Sequence, residues 1–459
     1  MIVSYGPRIA LSVAFKHRVR RQPNGFSCHP KERSARGAHG STPQEIMLRV
    51  CHLGKYYPPA YGGMETHVAT LARAQRRLGA EVTVYCVNHE TNDGREVRDT
   101  RFRRSATREE IDDGVEVVRL GRCGGLSKLD LCPEFRRFAD ELDRFDVVHL
   151  HAPNPTFSLP LLLRKAPRRF FITHHSDIIK QRVLSKFYHP FERRVYARAD
   201  KVFATSPWYT GGSPLLQEFE EKVSVVPLGV DFEPLLNPSP FARSIQREIS
   251  DELDAPIWLC VGRLVYYKGL HTAIDALPRL PGTLVIVGKG PLEKPLKAQA
   301  ERMGVADRIR WIPNASDVTL QGLYHAATAL WFPSNNRSEG FGLVQVEAMA
   351  SGLPIINTSV PASGVAWVAP HEVAALTIAP DSHHQLVEAS LRLLNDESLR
   401  KRLGDAGRRR AVKMFSDRLM AQRYLDRYTD TKNSVETIVR SLPPKPVGPA
   451  GAPVVRSAS

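Results

Sequence analysis

The pattern of hydrophobic and polar positions changes at Met47, where short apolar runs begin to alternate with stretches of helical periodicity. In the first half of the chain the apolar runs predict strands at 48–53, 81–87, 115–120, 146–150, 169–174, 201–205 and 223–226. Helices are predicted between most of them, for example at 63–78, where Val68, Leu71 and Leu78 recur at helical spacing. This alternation predicts a mostly parallel, doubly wound sheet.

The same alternation restarts at Ile257 and predicts a second sheet. Its strands are predicted at 257–261, 283–287, 308–312, 328–332, 353–357 and 375–379, and the last helices at 383–394, 398–412 and 417–429. Between the two halves, 232–250 carries three prolines and little periodicity, which is typical of an inter-domain linker. The sequence therefore predicts an α/β protein with two Rossmann-like, doubly wound domains, at 47–231 and 251–414.

The segment before Met47 differs from the rest of the chain in charge and pattern. Residues 1–46 contain eight Lys or Arg against two Glu, a net charge of +6, and show no periodicity outside 9–15. Basic residues rather than a small-residue cleavage site follow 9–15, which argues against a signal peptide. We expect 1–46 to be a basic, disordered extension and Met47 to be the functional start. The Pro- and Gly-rich tail at 433–459 is also predicted to be disordered.

Composition narrows the class of protein. The 459 residues are 42% hydrophobic and 24% charged, as in ordinary soluble proteins, and contain no apolar run long enough to span a membrane. Six scattered cysteines without a C-x-x-C pair argue against a zinc site and favour reduced thiols in the cytoplasm. The net charge of +16 is compatible with nucleic acid, anionic lipid or anionic substrates, but no nucleic-acid-binding motif is found.

The strongest candidate for chemistry is the stretch 338–352, which reads as a loop that leads from a strand into a helix. The first helical turn leaves its N–H groups unpaired, and Gly340 and Gly342 allow a phosphate to approach them. Glu339 and Glu347 flank this place. Because Glu347 shares a helix face with core side chains, its carboxylate needs a partner. In doubly wound sheets ligands bind at the carboxyl ends of the strands. Two such domains that face each other are therefore predicted to form a ligand-binding cleft.

The two glutamates, separated by seven residues with a glycine turn between them, resemble the signature of retaining GT-B glycosyltransferases. That large family includes bacterial α-mannosyl- and α-glucosyltransferases. By itself the spacing also fits an ordinary α/β loop with two incidental acids. The resemblance implies that Glu339 contacts the donor sugar, that Glu347 binds the nucleotide ribose, and that the turn binds the diphosphate. The turn consists of Gly340, Phe341, Gly342 and Leu343.

Other motifs match the same family at the ends of predicted strands. Gly62 and Gly63 resemble the loop near the donor phosphate and the acceptor, although a plain tight turn has the same composition. Arg263 and Lys268 follow a predicted strand with a spacing of five, and a fork-shaped cation with a mobile one suits a diphosphate.

Two further predicted strands lead to donor-binding candidates. Gly288 and Gly290 lie in another strand-to-helix turn. Ile312 belongs to the segment whose backbone meets the nucleobase in this family.

Histidines end two predicted strands, at His149 and His151 and at His174 and His175. Such histidines can suggest a metal, but no carboxylate or Cys spacing supports one, so no metal is predicted. The resemblance assigns His175 to the donor sugar beside the reacting carbon. His174 stands where relatives usually carry an aromatic or apolar residue, so the choice between the two stays open, as does a histidine that only caps a strand.

Together the motifs, which span about 48–430, imply a metal-independent, retaining hexosyltransferase. No cofactor is expected, because the nucleotide sugar is a substrate. No Asp-x-Asp occurs, so Arg263, Lys268 and the helix N-terminus at Gly342 are expected to meet the charge of the leaving group. In that fold the C-terminal helix, expected at 415–432, crosses back onto the first domain.

The acceptor is expected to be a lipid-linked or other glycan. Segments 151–155 and 175–177 look most like transferases that build bacterial surface polysaccharides on lipid-linked acceptors, frequently from GDP-mannose. The basic, amphipathic pattern of 178–198 favours peripheral contact with the anionic inner face of the cytoplasmic membrane, although a solvated face has the same pattern. Two alternatives remain: a nucleotide-sugar 2-epimerase of the same architecture, and a nucleic-acid-binding protein, suggested by charge alone.

Overall fold

The computed structural model describes residues 47–60, 62–89, 104–126, 129–177 and 182–430. The predictions for 1–46 and 433–459 lie outside the described residues.

Ten strands occur in the described part of the first half. They are β1 (Arg49–Leu53), β2 (Glu81–Val87), β3 (Arg108–Asp112), β4 (Val115–Leu120), β5 (Gly124–Leu126), β6 (Leu129–Leu131), β7 (Val147–Ala152), β8 (Phe170–His174), β9 (Lys201–Ala204) and β10 (Val223–Val225). β5 and β6 pair antiparallel with each other, and the others form one sheet in the order β10-β9-β8-β7-β1-β2-β4-β3. All seven predicted strands are present, with ends shifted by at most two residues.

The sequence missed β3, which pairs antiparallel with β4 at the edge of the sheet. Its sequence is Arg-Glu-Glu-Ile-Asp, and almost all of it is exposed. An edge strand that buries neither face carries no hydrophobic alternation, and charged side chains there discourage pairing with another chain.

The second half contains an all-parallel sheet. Its strands are β11 (Ile257–Val261), β12 (Thr283–Val287), β13 (Ile309–Ile312), β14 (Ala329–Phe332), β15 (Ile355–Thr358) and β16 (Ala375–Ile378), in the order β13-β12-β11-β14-β15-β16. Successive residues of β11 alternate between two cores, since Leu259 packs into one and Trp258 into the other. Both faces are therefore covered, as in a doubly wound sheet.

Helices connect the strands in both halves. In the first they are α1 (Gly63–Arg77), α2 (Phe135–Glu141), α3 (Pro155–Leu162), α4 (Arg182–Arg198), α5 (Pro207–Gly212) and α6 (Pro214–Glu218). They continue with α7 (Glu233–Leu236), α8 (Pro240–Glu252), α9 (Leu270–Ala276), α10 (Glu293–Arg302), α11 (Asp317–Ala326), α12 (Leu343–Ala350), α13 (Val365–Val368), α14 (His383–Asn395), α15 (Glu397–Met414) and α16 (Asp417–Thr429). Single 3₁₀ turns lie at Leu142–Arg144, Glu220–Lys222, Tyr266–Lys268, Leu277–Arg279 and Ala306–Arg308.

The stretch 232–250, expected to be a linker with little periodicity, is mostly helical. The Ser239 hydroxyl accepts the Ala242 N–H at 3.1 Å and so caps α8, whose first residue is Pro240. Proline favours the first helical position, so it starts this helix rather than breaking it. α8 packs on α11, where a Cβ at Gly322 would lie 2.7 Å from the Ile245 side chain. The weak periodicity of this stretch thus did not reveal α7 and α8, and its role as an inter-domain linker stays a prediction.

The last helix, α16, returns to the first sheet. Met420, Tyr424 and Tyr428 are buried in the same core as Val50 of β1 and Phe203 of β9. The chain thus starts and ends its described part in one hydrophobic core.

The first sheet, parallel except for β3, and the parallel second sheet confirm the predicted α/β fold class with two doubly wound, Rossmann-like domains. No helix in the described ranges is both long and apolar enough to cross a bilayer.

Candidate active site

Loops at the carboxyl ends of the two sheets contact each other. Arg337, in the loop between β14 and α12, forms an ion pair with Asp177 and donates to the Gly212 carbonyl. Three residues further on, a Cβ at Gly340 would lie 2.8 Å from the carbonyl oxygen of His175. The loop that carries Glu339 is therefore held against the end of β8.

Lys268 and Glu339 form an ion pair at this junction. The Lys268 Nζ lies 2.6 Å from Glu339 Oε2, and the two side chains are only 13% and 12% exposed. The Phe332 ring packs against the same ammonium, with its centroid 4.9 Å away. The backbone of Glu339 is fixed as well, because its carbonyl accepts the Ser363 hydroxyl. The resemblance assigns Glu339 to the donor sugar and Lys268 to the diphosphate. In the structure these two residues form an ion pair with each other.

The glycine turn before α12 has the backbone that the sequence suggested. Gly342 has φ 80°, in the left-handed region, and is the N-cap residue of α12. A Cβ there would also lie 2.7 Å from the Phe332 ring. Leu343 is the first helical residue, and the side chain of Phe341 is buried in the core of the second domain.

Glu347 finds its partner on α11. The Tyr324 hydroxyl donates to Glu347 Oε2 at 2.5 Å. Burial raises the pKa of Glu347, while the hydrogen bond from Tyr324 and the charge of Lys268 oppose the shift. A tyrosine from a neighbouring helix thus holds the carboxylate that the resemblance assigns to the ribose.

Arg263 lies in the loop after β11, which leads to Lys268, and Arg263 is exposed to solvent. Its Nη2 donates to the Tyr267 hydroxyl at 3.3 Å. Burial lowers the pKa of Arg263, but Tyr267, Glu65 and Glu339 raise it more, so the guanidinium stays charged. Glu65, which contributes to this raised pKa, belongs to α1 in the first domain.

Close packing of the backbone accounts for Gly288 and Gly290, whether or not a ligand binds beside them. Gly288 has φ 129°, and a Cβ there would clash with the Gly262 carbonyl. A Cβ at Gly290 would lie 2.5 Å from the Leu264 carbonyl oxygen. The Ile312 carbonyl accepts the Gly288 N–H at 2.8 Å, so this carbonyl is already used within the protein.

Gly62 and Gly63 open α1 in different surroundings. A Cβ at Gly62 would clash with the Glu65 carboxylate, whereas a Cβ at Gly63 would meet nothing within 4 Å. Packing therefore explains a glycine at 62, and only Gly63 borders open space.

The structure separates the two adjacent histidines. His174 is buried, with Nδ1 2.7 Å from the Tyr196 hydroxyl and Nε2 3.2 Å from Asp177. His175 is half-buried beside the Gly340 loop, and its Nε2 lies 3.2 Å from His151 Nδ1. Burial lowers the pKa of His175 to about 3, so the ring is neutral at neutral pH. His175 is the member of the pair that lies at the cleft.

Two family models match the chain, one on each domain: "Glycosyltransferase Family 4" over residues 61–234 and "Glycosyl transferases group 1" over 242–410. The O-antigen chain mannosyltransferase C of Escherichia coli is 30% identical over 385 residues, which cover 83% of this chain and 98% of that protein. The chain belongs to the GT-B glycosyltransferases.

Two other comparisons agree with this family. The D-rhamnosyltransferase WbpZ of Pseudomonas aeruginosa is 34% identical to this glycosyltransferase over 246 residues, 54% of this chain and 63% of that protein. Among solved structures, sucrose-phosphate synthase of Thermosynechococcus elongatus superposes with a TM-score of 0.68 at 22% identity, covering 83% of this chain and 98% of its own. The second likeness shows the fold.

Sequence reasoning missed a cluster of five histidines in the glycosyltransferase's first domain. His149 stacks on His151, and His67 lies edge-on to His175 with ring centroids 4.9 Å apart. The fifth, His52, joins them from β1. The i, i+2 spacing of His149 and His151 placed two of them on one face of a strand, but no local pattern connects them to β1 or α1.

The predicted membrane segment, 178–198, is described from Arg182 onward. Arg193 pairs with Glu218 at 2.6 Å, and Arg198 donates to the Leu161 carbonyl at 2.6 Å. Two of its cations therefore bind other parts of the glycosyltransferase.

Proposed function

We propose that this glycosyltransferase transfers a hexose, mannose or a closely related sugar, from a nucleotide diphosphate donor to a glycan hydroxyl with retention of anomeric configuration. The observation that carries the proposal is the Lys268–Glu339 pair, 2.6 Å apart, directly before the N-terminus of α12. This arrangement places a cation, a carboxylate and unpaired helical N–H groups together, as binding a sugar diphosphate requires.

The donor is expected to lie along the second domain. Its ribose hydroxyls would donate to Glu347, whose carboxylate Tyr324 already orients. The base would meet the backbone near Ile312, and the diphosphate would rest on the turn from Gly340 to Leu343. The sugar would then lie between Glu339 and His175.

Lys268 has two roles in this proposal. In the free enzyme its ion pair holds the Glu339 carboxylate in place, so the carboxylate needs little rearrangement when donor binds. As the bond to the diphosphate breaks, negative charge grows on the leaving oxygens. Lys268 and Arg263 are then expected to stabilise that charge without a metal, because preorganised cations act most strongly on the transition state.

The first domain is expected to hold the acceptor. The O-antigen mannosyltransferase aligns over 98% of its own length with this chain, which supports a surface-polysaccharide glycan as acceptor class. Lipid linkage of that glycan, GDP as the donor nucleotide and peripheral membrane contact through 178–198 are parts of the proposal that the family resemblance suggests.

A panel of GDP-, UDP-, ADP- and dTDP-sugars tests the proposal. The matching donor should raise the melting temperature, because a ligand that binds only the folded state stabilises it by mass action. With acceptor present, NMR of the product should show the anomeric configuration of the donor. Glu339→Gln should lose transfer, whereas Glu397→Gln, an exposed glutamate at the start of α15, should keep it.

An inverted product would rule out retention. Acceptor-independent release of nucleotide together with an isomerised sugar would instead identify an epimerase.

A further inference from the structure

Three histidines from different elements converge beside the cleft. They are His67 of α1, His151 of β7 and His175, which follows β8. One ring nitrogen of each lies within 4.8 Å of the others, and His151 Nδ1 is 3.2 Å from His175 Nε2. Two nitrogens bound to one tetrahedral zinc ion at 2.0–2.1 Å are separated by about 3.3 Å. The spacing of the His151 and His175 nitrogens is therefore close to that of two ligands on one ion, and a nitrogen of His67 lies within 4.8 Å of both.

His67 supplies an independent sign of a ligand. Its side chain is fully buried, and neither ring nitrogen has a hydrogen-bond partner among the described residues. A buried polar group without a partner is unfavourable, and such groups in native proteins usually mark an ion, a water or a functional role. The imidazole of His67 is thus available to an ion without loss of a hydrogen bond.

His151 has the supporting contacts of a metal ligand. Its Nε2 lies 3.0 Å from His52 Nδ1, and His52 Nε2 lies 2.7 Å from Gln75 Oε1. With the Gln75 oxygen as acceptor, His52 carries its proton on Nε2 and His151 donates from Nε2. The lone pair of His151 then lies on Nδ1, toward His175. Ligating histidines are commonly fixed in this way, by a hydrogen bond from the other ring nitrogen.

We propose that His67, His151 and His175 bind a divalent transition-metal ion such as Zn²⁺ or Co²⁺, with a fourth position for a water or a sugar hydroxyl. Three imidazoles suit these ions and not Mg²⁺ or Ca²⁺, which prefer oxygen ligands. The neighbouring trio of His52, His149 and His151 is less suited, because Tyr428 and Thr173 already bind both ring nitrogens of His149.

The ion would act as an inhibitor of donor binding rather than as a catalyst. Metal binding would withdraw His175 from the sugar position. This consequence rests on the proposed function, whereas the site itself rests only on the three histidines. This inhibition is compatible with a transfer reaction that needs no metal. A chelator would remove the ion and leave His175 available to the donor sugar.

Co²⁺ titration of tag-free, chelator-treated protein tests the site without any substrate. We expect one Co²⁺ per chain by equilibrium dialysis and the intense visible absorption of a tetrahedral Co²⁺ site. His67→Leu should weaken binding by about tenfold or more, the scale seen when a metal site loses supporting contacts. Its melting temperature in metal-free buffer should not fall, because the ring makes no hydrogen bond in the folded protein.

The pair of half-buried His383 and exposed His384, with ring centroids 4.1 Å apart, is the matched control. The double variant His383→Ala/His384→Ala should bind Co²⁺ as wild type does. Loss of Co²⁺ binding in that variant, unchanged affinity in His67→Leu, or no stoichiometric binding by wild type would each overturn the proposal. If His67→Leu fails to fold, His175→Gln at the half-buried edge provides the same test.

The overlap with the donor has a separate readout. Saturating Co²⁺ should remove the donor-induced rise in melting temperature in wild type and leave it intact in His67→Leu. A rise that persists in Co²⁺-loaded wild type would overturn the inhibition but not the site, and no rise in any protein would instead contradict the proposed donor.

Discussion

Lys268 and Glu339 form an ion pair, so the role of each residue depends on the other. Each is the close counter-charge of the other, and both are largely shielded from water. Removing one partner therefore leaves a charge in a poorly solvated place, which costs more than losing an exposed ion pair. Substitutions at either position are expected to affect the other residue as well as the donor.

Lys268→Ala should lower kcat by about 10² to 10³, or roughly 3–4 kcal/mol, by analogy with removal of one preorganised transition-state donor. Lys401→Ala is the control, because Lys401 forms an exposed pair with Asp405 away from the site. Steady-state kinetics against donor concentration, on variants shown by circular dichroism to be folded, measure the effect. Normal kcat with a raised KM would show that Lys268 only anchors the donor.

Glu347 should make donor binding depend on pH. Its pKa is raised by burial, so the carboxyl stays protonated to higher pH than an exposed glutamate, and donor affinity should rise as the pH passes through this value. Tyr324→Phe removes a hydrogen bond that favours the carboxylate and should move this rise to still higher pH. Donor KM measured from pH 4 upward gives the profile.

Glu347→Gln is the control for this profile. It should show weaker donor binding, because a ribose contact is made in both the ground and transition states. The pH-dependent rise in donor affinity should be absent, because a glutamine side chain does not titrate. A rise that survives in Glu347→Gln would assign the titration to another group.

At the scale of elements, a turn and a helix of the second half of the chain each depend on local geometry at one residue. The turn before α12 needs a left-handed residue at Gly342 and space beside Phe332. The helix α8 needs the Ser239 cap and packs on α11. Each element therefore has a single residue at which its formation can be tested.

Gly342→Ala should lower both stability and donor affinity. It combines left-handed strain, about 1–3 kcal/mol, with a Cβ that would press on the Phe332 ring. Gly304→Ala is a matched control, because Gly304 has φ 66° but open space around its Cβ position. Urea unfolding should show a larger loss for Gly342→Ala, and equal losses would mean that the Phe332 contact relaxes freely.

Ser239→Ala should destabilise the protein by about 1 kcal/mol, because it removes the cap of α8. Ser244→Ala, within the same helix, changes an exposed serine that only bonds the Phe241 carbonyl, and should have a smaller effect. Thermal unfolding of both variants gives the comparison. Indistinguishable melting temperatures would show that α8 does not depend on its cap.

At the scale of the whole molecule, α16 ties the end of the described chain to the first sheet. Tyr424 and Tyr428 are fully buried there, and Tyr428 also bonds His149 and lies next to Gln75. The helix thus completes the core around the histidine cluster, although it is far from that cluster in sequence.

Truncation after Met414 should therefore give insoluble or unfolded protein. It would expose Val50, Phe203 and the rest of that core to water. Truncation after Asp430 is the control and should leave the melting temperature nearly unchanged, because 433–459 has no core-forming pattern. Soluble, cooperatively unfolding protein ending at Met414 would show that α16 is dispensable for the first domain.

Many of the elements and motifs could be predicted because their signal is local. Buried parallel strands such as 81–87 and 283–287 are continuous apolar runs, and the turn at Gly342 combines glycines with a following helical pattern. The strand β3 and the helix α8 were missed for local reasons too. β3 buries almost nothing, and the three prolines and weak periodicity of 232–250 predicted a linker, although Pro240 starts a helix.

The sequence by itself determined the two doubly wound sheets, the strand-to-helix turns, the placement of Lys268 and Glu339 in turns that follow strands, and the placement of Glu347 within a helix. Only the tertiary structure decided which side chains meet: Glu347 with Tyr324, Asp177 with Arg337, and the histidines of β1, α1 and β7 with His175. The reason is physical. Periodicity reports which face of an element is buried, whereas a contact between distant segments depends on how whole elements pack, which no local pattern encodes.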